Sequence, residues 1–397
     1  MALSDLPLSY CTNVHPGRSL AEVDRGLDEY TAPLRTNYGA PLAAGLWLAA
    51  PVIAELVAGP AELPRFRDGL ARRNLTCHTV NAFPYGDFHS RRVKENVYLP
   101  DWSDRRRLDY TIDCARVLAA LLPDGVEGSI STVPLAFKGF THAGDHLDRC
   151  AAQLVETAVA LDRLQQETGR LVRLAIEPEP YCLVETTDEA IDFFEKVWRQ
   201  AGSDAALAAT RRHLGLCYDV CHQAVEFEDI PTSIGKLVAR GVRINKVHIT
   251  CALELESPGS NEAGCQALAA YVEERYLHQT LARSKSGAIL RQIDLTADLA
   301  LRPPAEFREA EAWRIHFHVP VNAEHLGPLR TTRQELRQAL ETVAGLDYAP
   351  HLEVETYTWE VLPGRPSSST PQLLIDGLTG EMLATRQLLA AMKAAKK

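Results

Sequence analysis

The sequence predicts a closed barrel of eight parallel strands that alternate with helices, the (β/α)8 TIM barrel. Eight short apolar runs rich in β-branched residues recur along the chain, and amphipathic segments separate them. The length of 397 residues suits one such barrel with insertions. A doubly wound open sheet is the main alternative, but eight strand–helix units favour closure.

Each predicted strand is an apolar run that ends in polar residues. The eight runs cover residues 8–15, 45–50, 75–83, 128–137, 171–180, 213–222, 244–253 and 351–358. Between them, residues 106–122 and 150–169 carry apolar side chains at i, i+3 and i+4, as a helix with one buried face does. Gly169 ends the second segment, where a residue with positive φ often terminates a helix.

Two regions depart from this alternation, and neither resembles a separate domain. We therefore expect one domain over residues 1–397. Residues of about 254–320 form a long insertion after strand seven, with a predicted helix at 264–283 and an extra strand at 314–321. Residues of about 361–397 form a Pro/Ser/Gly-rich loop and an extra C-terminal helix.

Composition and charge argue against several classes of protein. The formal net charge of −10 argues against a large nucleic-acid-binding surface. Nine cysteines are scattered without a paired framework, so we expect buried free thiols in a reducing compartment. No run of 18 apolar residues occurs, and no membrane span is expected.

Four polar residues stand at the ends of successive predicted strands: Glu177, Asp219, His248 and Glu355. In a parallel barrel these ends meet at one rim, where catalytic groups lie. Three carboxylates gathered there repel one another, and a divalent cation removes that repulsion. Oxygen ligands with one imidazole suit Mn²⁺, Mg²⁺, Co²⁺ or Zn²⁺, so we expect one divalent metal ion.

Each of the four residues has a simpler interpretation when it is taken alone. Glu177 precedes a proline and resembles a solvated turn residue, and Asp219 resembles a helix cap. His248 resembles a satisfied core histidine, and Glu355 a solvent-facing strand residue. Their occurrence together, each at a strand end, favours a joint site.

Several further residues are candidates for contact with substrate or for positioning a ligand. They are His15, Asn81, Glu179, His222, His316 and His318. His222 follows Asp219 by three positions and either contacts substrate or a second metal, or orients a ligand. His316 and His318 share one face of the extra strand, where they either close over the site or are structural.

The segments "AIEPEP", "YDVCH", "KVHIT" and "LEVET" resemble the xylose-isomerase-like barrels, which include sugar-phosphate isomerases/epimerases and endonuclease IV. The resemblance implies that the four strand-end residues bind one divalent metal and that Asp219 and His222 form the Asp-x-x-His pair. It spans roughly residues 8–358. The long insertion departs from typical sugar epimerases, and no clear version of the additional ligands of the three-zinc cluster of endonuclease IV is present.

A closer similarity is to the EboE proteins of the ebo metabolite-traffic gene cluster, through "YCTNVHPG", "VNAFPYGDFH" and "HFHVPV". This resemblance implies a cytoplasmic protein that prepares secondary metabolites or their precursors for export. It also implies pathway proteins as partners beside a small-molecule substrate.

Three hypotheses follow for function. The first is a metal-dependent isomerase or epimerase of a polyol or hydroxy ketone, in which Glu177 and Glu355 remove and return a proton. The second is phosphodiester hydrolysis of the endonuclease IV type, which the acidic charge disfavours. The third is a non-catalytic barrel that binds a metabolite and hands it to a partner.

Overall fold

The computed structural model describes residues 3–364 and 370–395 and contains the predicted closed barrel. Its strands are Leu8–Cys11, Leu42–Trp47, a broken third strand of Leu75–Thr76 and Thr79–Asn81, Gly128–Thr132, Val172–Ile176, Leu214–Asp219, Ile244–Ile249 and His351–Val354. All pair in parallel, and the first strand pairs with both the second and the eighth. That double pairing closes the barrel, as the alternation predicts.

Helices surround the barrel on its outer face. They are Leu20–Gly26, Ala32–Tyr38, Ala50–Ala58, Glu62–Arg72, Arg105–Leu121, His146–Thr168, Thr187–Gln200, Asp204–His213, Val220–Val225, Ile230–Ala239, Arg333–Val343 and Pro371–Ala395. Local sequence sets several of their ends. Thr186 and Glu189 form a capping box at one start, and Gly169 ends another helix at φ 71°. No helix within the described residues is long and apolar enough to cross a membrane.

The extra C-terminal helix is present, although part of the preceding loop, residues 365–369, lies outside the described residues. All nine cysteines lie in the described ranges, and each is buried with a free thiol. The expectation of buried free thiols is therefore confirmed.

The insertion after the seventh strand folds into a second, six-stranded antiparallel sheet. Its strands are Leu253–Glu256, Thr280–Arg283, Ile289–Gln292, Ala312–Ile315, His325–Leu326 and Leu329–Thr331, and its short helices are Glu262–Ala269, Ala297–Leu301 and Ala305–Arg308. The central strand Ala312–Ile315 pairs with Leu253–Glu256 and with Thr280–Arg283. The insertion is thus attached directly to the end of the seventh barrel strand.

The predicted helix at 264–283 is wrong over most of its length. The helix ends at Ala269, and Thr280–Arg283 is a strand with a partner on each side. Between them the ammonium of Lys94 donates to the backbone oxygens of Glu273 and Tyr276 at 3.1 and 2.6 Å. These contacts with a residue far away in the sequence override the helical preference of the local sequence.

The extra strand predicted at 314–321 lies earlier, at Ala312–Ile315. The strand ends at Ile315, and one further bond, from the amide of His316 to the carbonyl of Gln279, continues its pairing with the strand Thr280–Arg283. Pro320 cannot donate to a sheet ladder, which is consistent with the early end of the strand.

The barrel interior contains a buried ion pair where branched apolar residues are usual. Nζ of Lys246 lies 2.7 Å from Oε1 of Glu353, and both side chains are fully buried. Ser9 donates to Oε2 of Glu353 at 3.2 Å, and Lys246 donates to Ser131 at 3.2 Å. A Cβ on Gly45 would stand 1.5 Å from Oε2 of Glu353, so the second strand must carry glycine there.

We expect Gly45→Ala to destabilise the protein by about 3 kcal/mol or more, because the new methyl also meets the carbonyl oxygen of Tyr10 at 2.9 Å and leaves no room for the ion pair. Urea unfolding measures this change. The matched control is Gly235→Ala in the helix Ile230–Ala239, where a Cβ meets nothing within 4 Å. It should stabilise the protein by about 0.5–1 kcal/mol. Equal unfolding midpoints for the two variants would contradict the tight packing around Glu353.

Candidate metal centre and cavity

Four barrel strands place the predicted ligands at one rim. Glu177 follows the strand Val172–Ile176, and Asp219 ends the strand Leu214–Asp219. His248 is next to Asp219 in the strand register, and Glu355 follows the last barrel strand. Residues at the carboxyl ends of parallel strands therefore meet although up to 178 positions separate them in the chain (177 to 355).

The imidazole of His248 lies in contact with all three carboxylates. Its Nδ1 is 2.9 Å from Oε1 of Glu177, 3.1 Å from Oε2 of Glu355 and 3.5 Å from Oδ2 of Asp219. All four side chains are buried. The structure thus brings together the four residues that the strand ends indicated, and we call them the carboxylate site.

The carboxylate site fits a divalent cation. With ligand distances of about 2.1 Å, neighbouring ligands of an octahedral cation lie about 3.0 Å apart, close to the spacings around His248. Oε2 of Glu177 and Oδ2 of Asp219 are buried without a hydrogen-bond partner. Burial raises the pKa of Glu177, so its charge needs compensation there. Carboxylate oxygens with one imidazole suit Mn²⁺, Mg²⁺, Co²⁺ or Zn²⁺.

The interior ion pair orients the imidazole. Nε2 of His248 lies 3.3 Å from Oε1 of Glu353, the carboxylate paired with Lys246. Within the described residues the hydrogen bond of this ring is the one between Nδ1 and Oε1 of Glu177, and Nε2 has no hydrogen-bond partner. Loss of the Nδ1 proton would free its lone pair for a cation among the three carboxylates. Glu353 and Lys246 therefore contact the site from the barrel interior. Neither was among the predicted site residues.

Two amides hold Glu355. Its Oε1 accepts from Nδ2 of Asn13 at 2.9 Å and from Nδ2 of Asn81 at 2.8 Å, so its Oε2 remains for His248. Asn81 is thus beside the site as a positioning residue. His15 is not brought to it: its Nε2 lies 3.2 Å from the Tyr10 hydroxyl, and its ring stacks on Tyr30.

The insertion brings two histidines to the same rim. Nε2 of His316 lies 3.1 Å from Nε2 of His222, and Nε2 of His318 lies 3.9 Å from Oδ2 of Asp219. All three rings are buried, and they form what we call the histidine cluster: His222, His316 and His318. The structure places both insertion histidines over the end of the sixth strand.

Glu179 lies on the other side of the histidine cluster. Its Oε1 accepts from the Tyr98 hydroxyl at 2.6 Å and from Nε2 of Gln279 at 3.1 Å, and burial raises its pKa to about 7. Sequence patterns did not indicate Tyr98 or Gln279, because Tyr98 ends the short 3-10 helix Lys94–Tyr98 and Gln279 lies inside the wrongly predicted helix.

A cavity with about 480 Å³ of empty space opens onto both groups of residues. Its polar lining includes Glu177, Glu179, His222, His316, His318 and Glu355, and its apolar lining includes Phe83, Phe88, Val93, Val97, Leu277 and Tyr357. Lys94 provides the one ammonium among these described lining residues, and its Nζ lies 2.7 Å from Asp294. The cavity therefore combines an apolar wall with acids and imidazoles at the carboxylate site and the histidine cluster.

No family model matches the sequence, and the search of curated proteins finds no match. Solved structures do match. A xylose isomerase-like TIM barrel protein from Mycobacterium smegmatis in complex with magnesium is 13% identical, with a TM-score of 0.53 and 98% of each chain covered. An L-ribulose 3-epimerase is 12% identical, with a TM-score of 0.50 and 98% of this chain and 96% of that one covered.

A D-tagatose 3-epimerase-like protein is also 12% identical, with a TM-score of 0.50 and 99% of this chain and all of that one covered. At such identities the likeness concerns the fold. The structural neighbours of this chain are thus xylose isomerase-like TIM barrels, with sugar epimerases among them, and it shares their barrel.

Proposed function

We propose that the protein is a divalent-metal-dependent isomerase or epimerase that acts on a polyol or an α-hydroxy ketone. The observation that carries this proposal is the carboxylate site, in which three buried carboxylates surround Nδ1 of His248 at the mouth of the barrel. The residues line a cavity at the mouth of the barrel together with apolar side chains, as the polar groups of small-molecule sites do. The fold shared with sugar epimerases supports the same reaction class.

A bound cation would supply Lewis acidity, which makes the C–H between a carbonyl and a hydroxyl more acidic. The chain itself supplies the groups that move the proton. Oε2 of Glu177 has no partner and its pKa is raised by burial, so it is suited to accept a proton. Glu355, held by two amides, lines the same cavity and would supply a proton from its own carboxyl group to the carbon, while Glu177 keeps the proton it removed. His222 would steady a substrate oxygen.

The cavity lining favours a substrate with an apolar body. Aromatic and branched side chains provide much of its wall, and they bind hydrocarbon better than a sugar phosphate. Among the described lining residues, the ammonium of Lys94 is already bonded to Asp294 and to two carbonyls. We therefore expect the cavity to bind an unphosphorylated hydroxy ketone more tightly than a phosphorylated one.

A second candidate is a binding protein that hands a metabolite to pathway partners, as the similarity to the EboE proteins implies. The apolar side chains of the cavity wall would bind an apolar product tightly, just as they would bind an apolar substrate. In that case the carboxylate site would contribute affinity without turnover. Under this second proposal, the protein would bind its metabolite in the cytoplasm and pass it to a pathway protein. DNA hydrolysis is less favoured, because the net charge is −10.

We expect Glu177→Gln and His248→Ala each to weaken Mn²⁺ binding at the carboxylate site by about 100-fold or more, because each removes one ligand. Titration of chelator-treated protein, followed by electron paramagnetic resonance of free Mn²⁺, measures the affinity. The matched control is Glu306→Gln, an exposed carboxylate of the insertion, which should bind like the wild type. Wild-type affinity in Glu177→Gln would show that the cation is held elsewhere.

We also expect the Mn²⁺-loaded protein to exchange the C–H hydrogens of 2-hydroxyacetophenone, an unphosphorylated aromatic hydroxy ketone, in deuterated water. Loss of the proton acceptor in Glu177→Gln should slow this exchange by about 100-fold or more. Proton nuclear magnetic resonance follows the signal, fructose serves as the polar comparison, and Glu306→Gln is the control. Tight binding of either compound without exchange would instead support the hand-over protein.

A further inference from the structure

A group of metal-ligating side chains lies apart from the cavity, in two connections between barrel strands and helices. Asp101 lies in the connection between the third strand and the helix Arg105–Leu121. His142 lies in the connection after the fourth strand, and His146 begins the helix His146–Thr168. None of these three residues is among the described lining residues of the cavity. We call them the loop cluster.

The ring of His142 has one nitrogen fixed by the fold. Its Nε2 lies 2.8 Å from the carbonyl oxygen of Phe137. Because a carbonyl only accepts, this nitrogen carries the proton, and the lone pair of the neutral ring is on Nδ1. The ring lies against that of His146, with centroids 4.4 Å apart and planes inclined at 52°. His142 can therefore offer Nδ1 to a ligand beside its neighbour.

The ring of His146 has a buried nitrogen without a partner. The side chain is 6% exposed, and its Nε2 makes no hydrogen bond within the described part of the chain. Oδ2 of Asp101 lies 3.8 Å from that nitrogen, which is too far for a hydrogen bond. A buried polar atom without a partner costs free energy, and a cation between these two atoms would remove that cost.

Asp101 directs an oxygen at the same place. Its Oδ1 accepts from the amide and the hydroxyl of Ser103 at 2.8 and 2.7 Å, which fixes the orientation of the carboxylate. One ligand atom of each residue of the loop cluster lies within 4.8 Å of the other two. Asp101 and His142 are thus each held by a hydrogen bond at their other polar atom, as the ligands of metal ions usually are.

We propose that Asp101, His142 and His146 bind a Zn²⁺ ion at a site separate from the carboxylate site, with water in the fourth position. Two imidazole nitrogens and one carboxylate oxygen form a ligand set that suits zinc. Tetrahedral ligands about 2.05 Å from a zinc ion lie about 3.3 Å apart, so Nε2 of His146 and Oδ2 of Asp101 would approach by about 0.5 Å.

The zinc ion would join two segments that carry cavity residues. Asp101 follows Tyr98, a residue of the cavity lining, by three positions, and His142 donates to the carbonyl of Phe137. The rings of Tyr98 and Phe137 stack on each other, with centroids 5.2 Å apart and planes inclined at 3°. A cation bound by both segments would therefore stabilise this stack at the edge of the cavity. The site does not depend on the proposed function, since it uses none of the residues of the carboxylate site.

The competing occupant is a proton on His146, which would form an ion pair with Asp101 in place of a metal. The test is a calorimetric titration of chelator-treated, full-length protein with Zn²⁺, and elemental analysis after gel filtration counts the bound metal. His142→Ala should retain one equivalent fewer than the wild type, because this partly exposed side chain supplies one of three protein ligands.

Asp101→Asn is the conservative variant, because it keeps the oxygen that accepts from Ser103 and loses the charged ligand. It should weaken the binding of the same equivalent by about 100-fold. The matched control is His325→Ala, an exposed histidine of the insertion, which should keep the wild-type count. Circular dichroism monitors folding, and Asp101→Asn replaces His142→Ala if that variant unfolds.

Equal zinc counts in the wild type and in His142→Ala would overturn the proposal and indicate the protonated His146. Glu177→Gln distinguishes the two sites, since it should lose the equivalent of the carboxylate site and keep the one that His142→Ala removes. The double variant Glu177→Gln/His142→Ala should therefore retain two equivalents fewer than the wild type. Absence of proton exchange together with the loss of one equivalent in His142→Ala would refute the isomerase and leave this site intact.

Discussion

The ion pair between Lys246 and Glu353 inside the barrel is the interaction on which the geometry of the candidate metal centre depends. It places a carboxylate against Nε2 of His248, which leaves Nδ1 directed at the other three acids. Four buried carboxylates with one ammonium leave three negative charges in excess, and even a protonated His248 would leave two. A divalent cation is the group that balances this excess without displacing a side chain.

The fold and the meeting of the four strand-end residues could be predicted because both follow from short-range patterns. Each apolar run predicts one parallel strand, and a barrel places the carboxyl end of every strand at the same rim. Glu177, Asp219 and His248 therefore meet although they are distant in sequence. The ion pair could have been found by the same rule. Lys246 shares a strand face with His248, and Glu353 shares one with Glu355, since side chains alternate along a strand.

The insertion could not be predicted to the same degree, because its structure depends on distant partners. The stretch 270–279 has a helical pattern, but Lys94 donates to the carbonyls of Glu273 and Tyr276, 179 and 182 residues later, and this contact is incompatible with a helix there. Gln279 then becomes the residue that orients His316 and contacts Glu179. The spacing of residues near Gln279 does not predict its contacts with His316 and Glu179. For the same reason the orientation of the histidine rings could not be inferred from the sequence.

The division between barrel and insertion has a chemical consequence. The barrel alone offers three carboxylates and one imidazole, a ligand set that suits magnesium and manganese as well as zinc. The insertion adds two imidazoles, as well as Tyr276 and Leu277 in the cavity wall. One inserted sheet therefore supplies both the imidazoles beside the carboxylate site and part of the cavity wall. A barrel with the same strand ends and a different insertion would keep the carboxylate site and lose these imidazoles and this part of the wall.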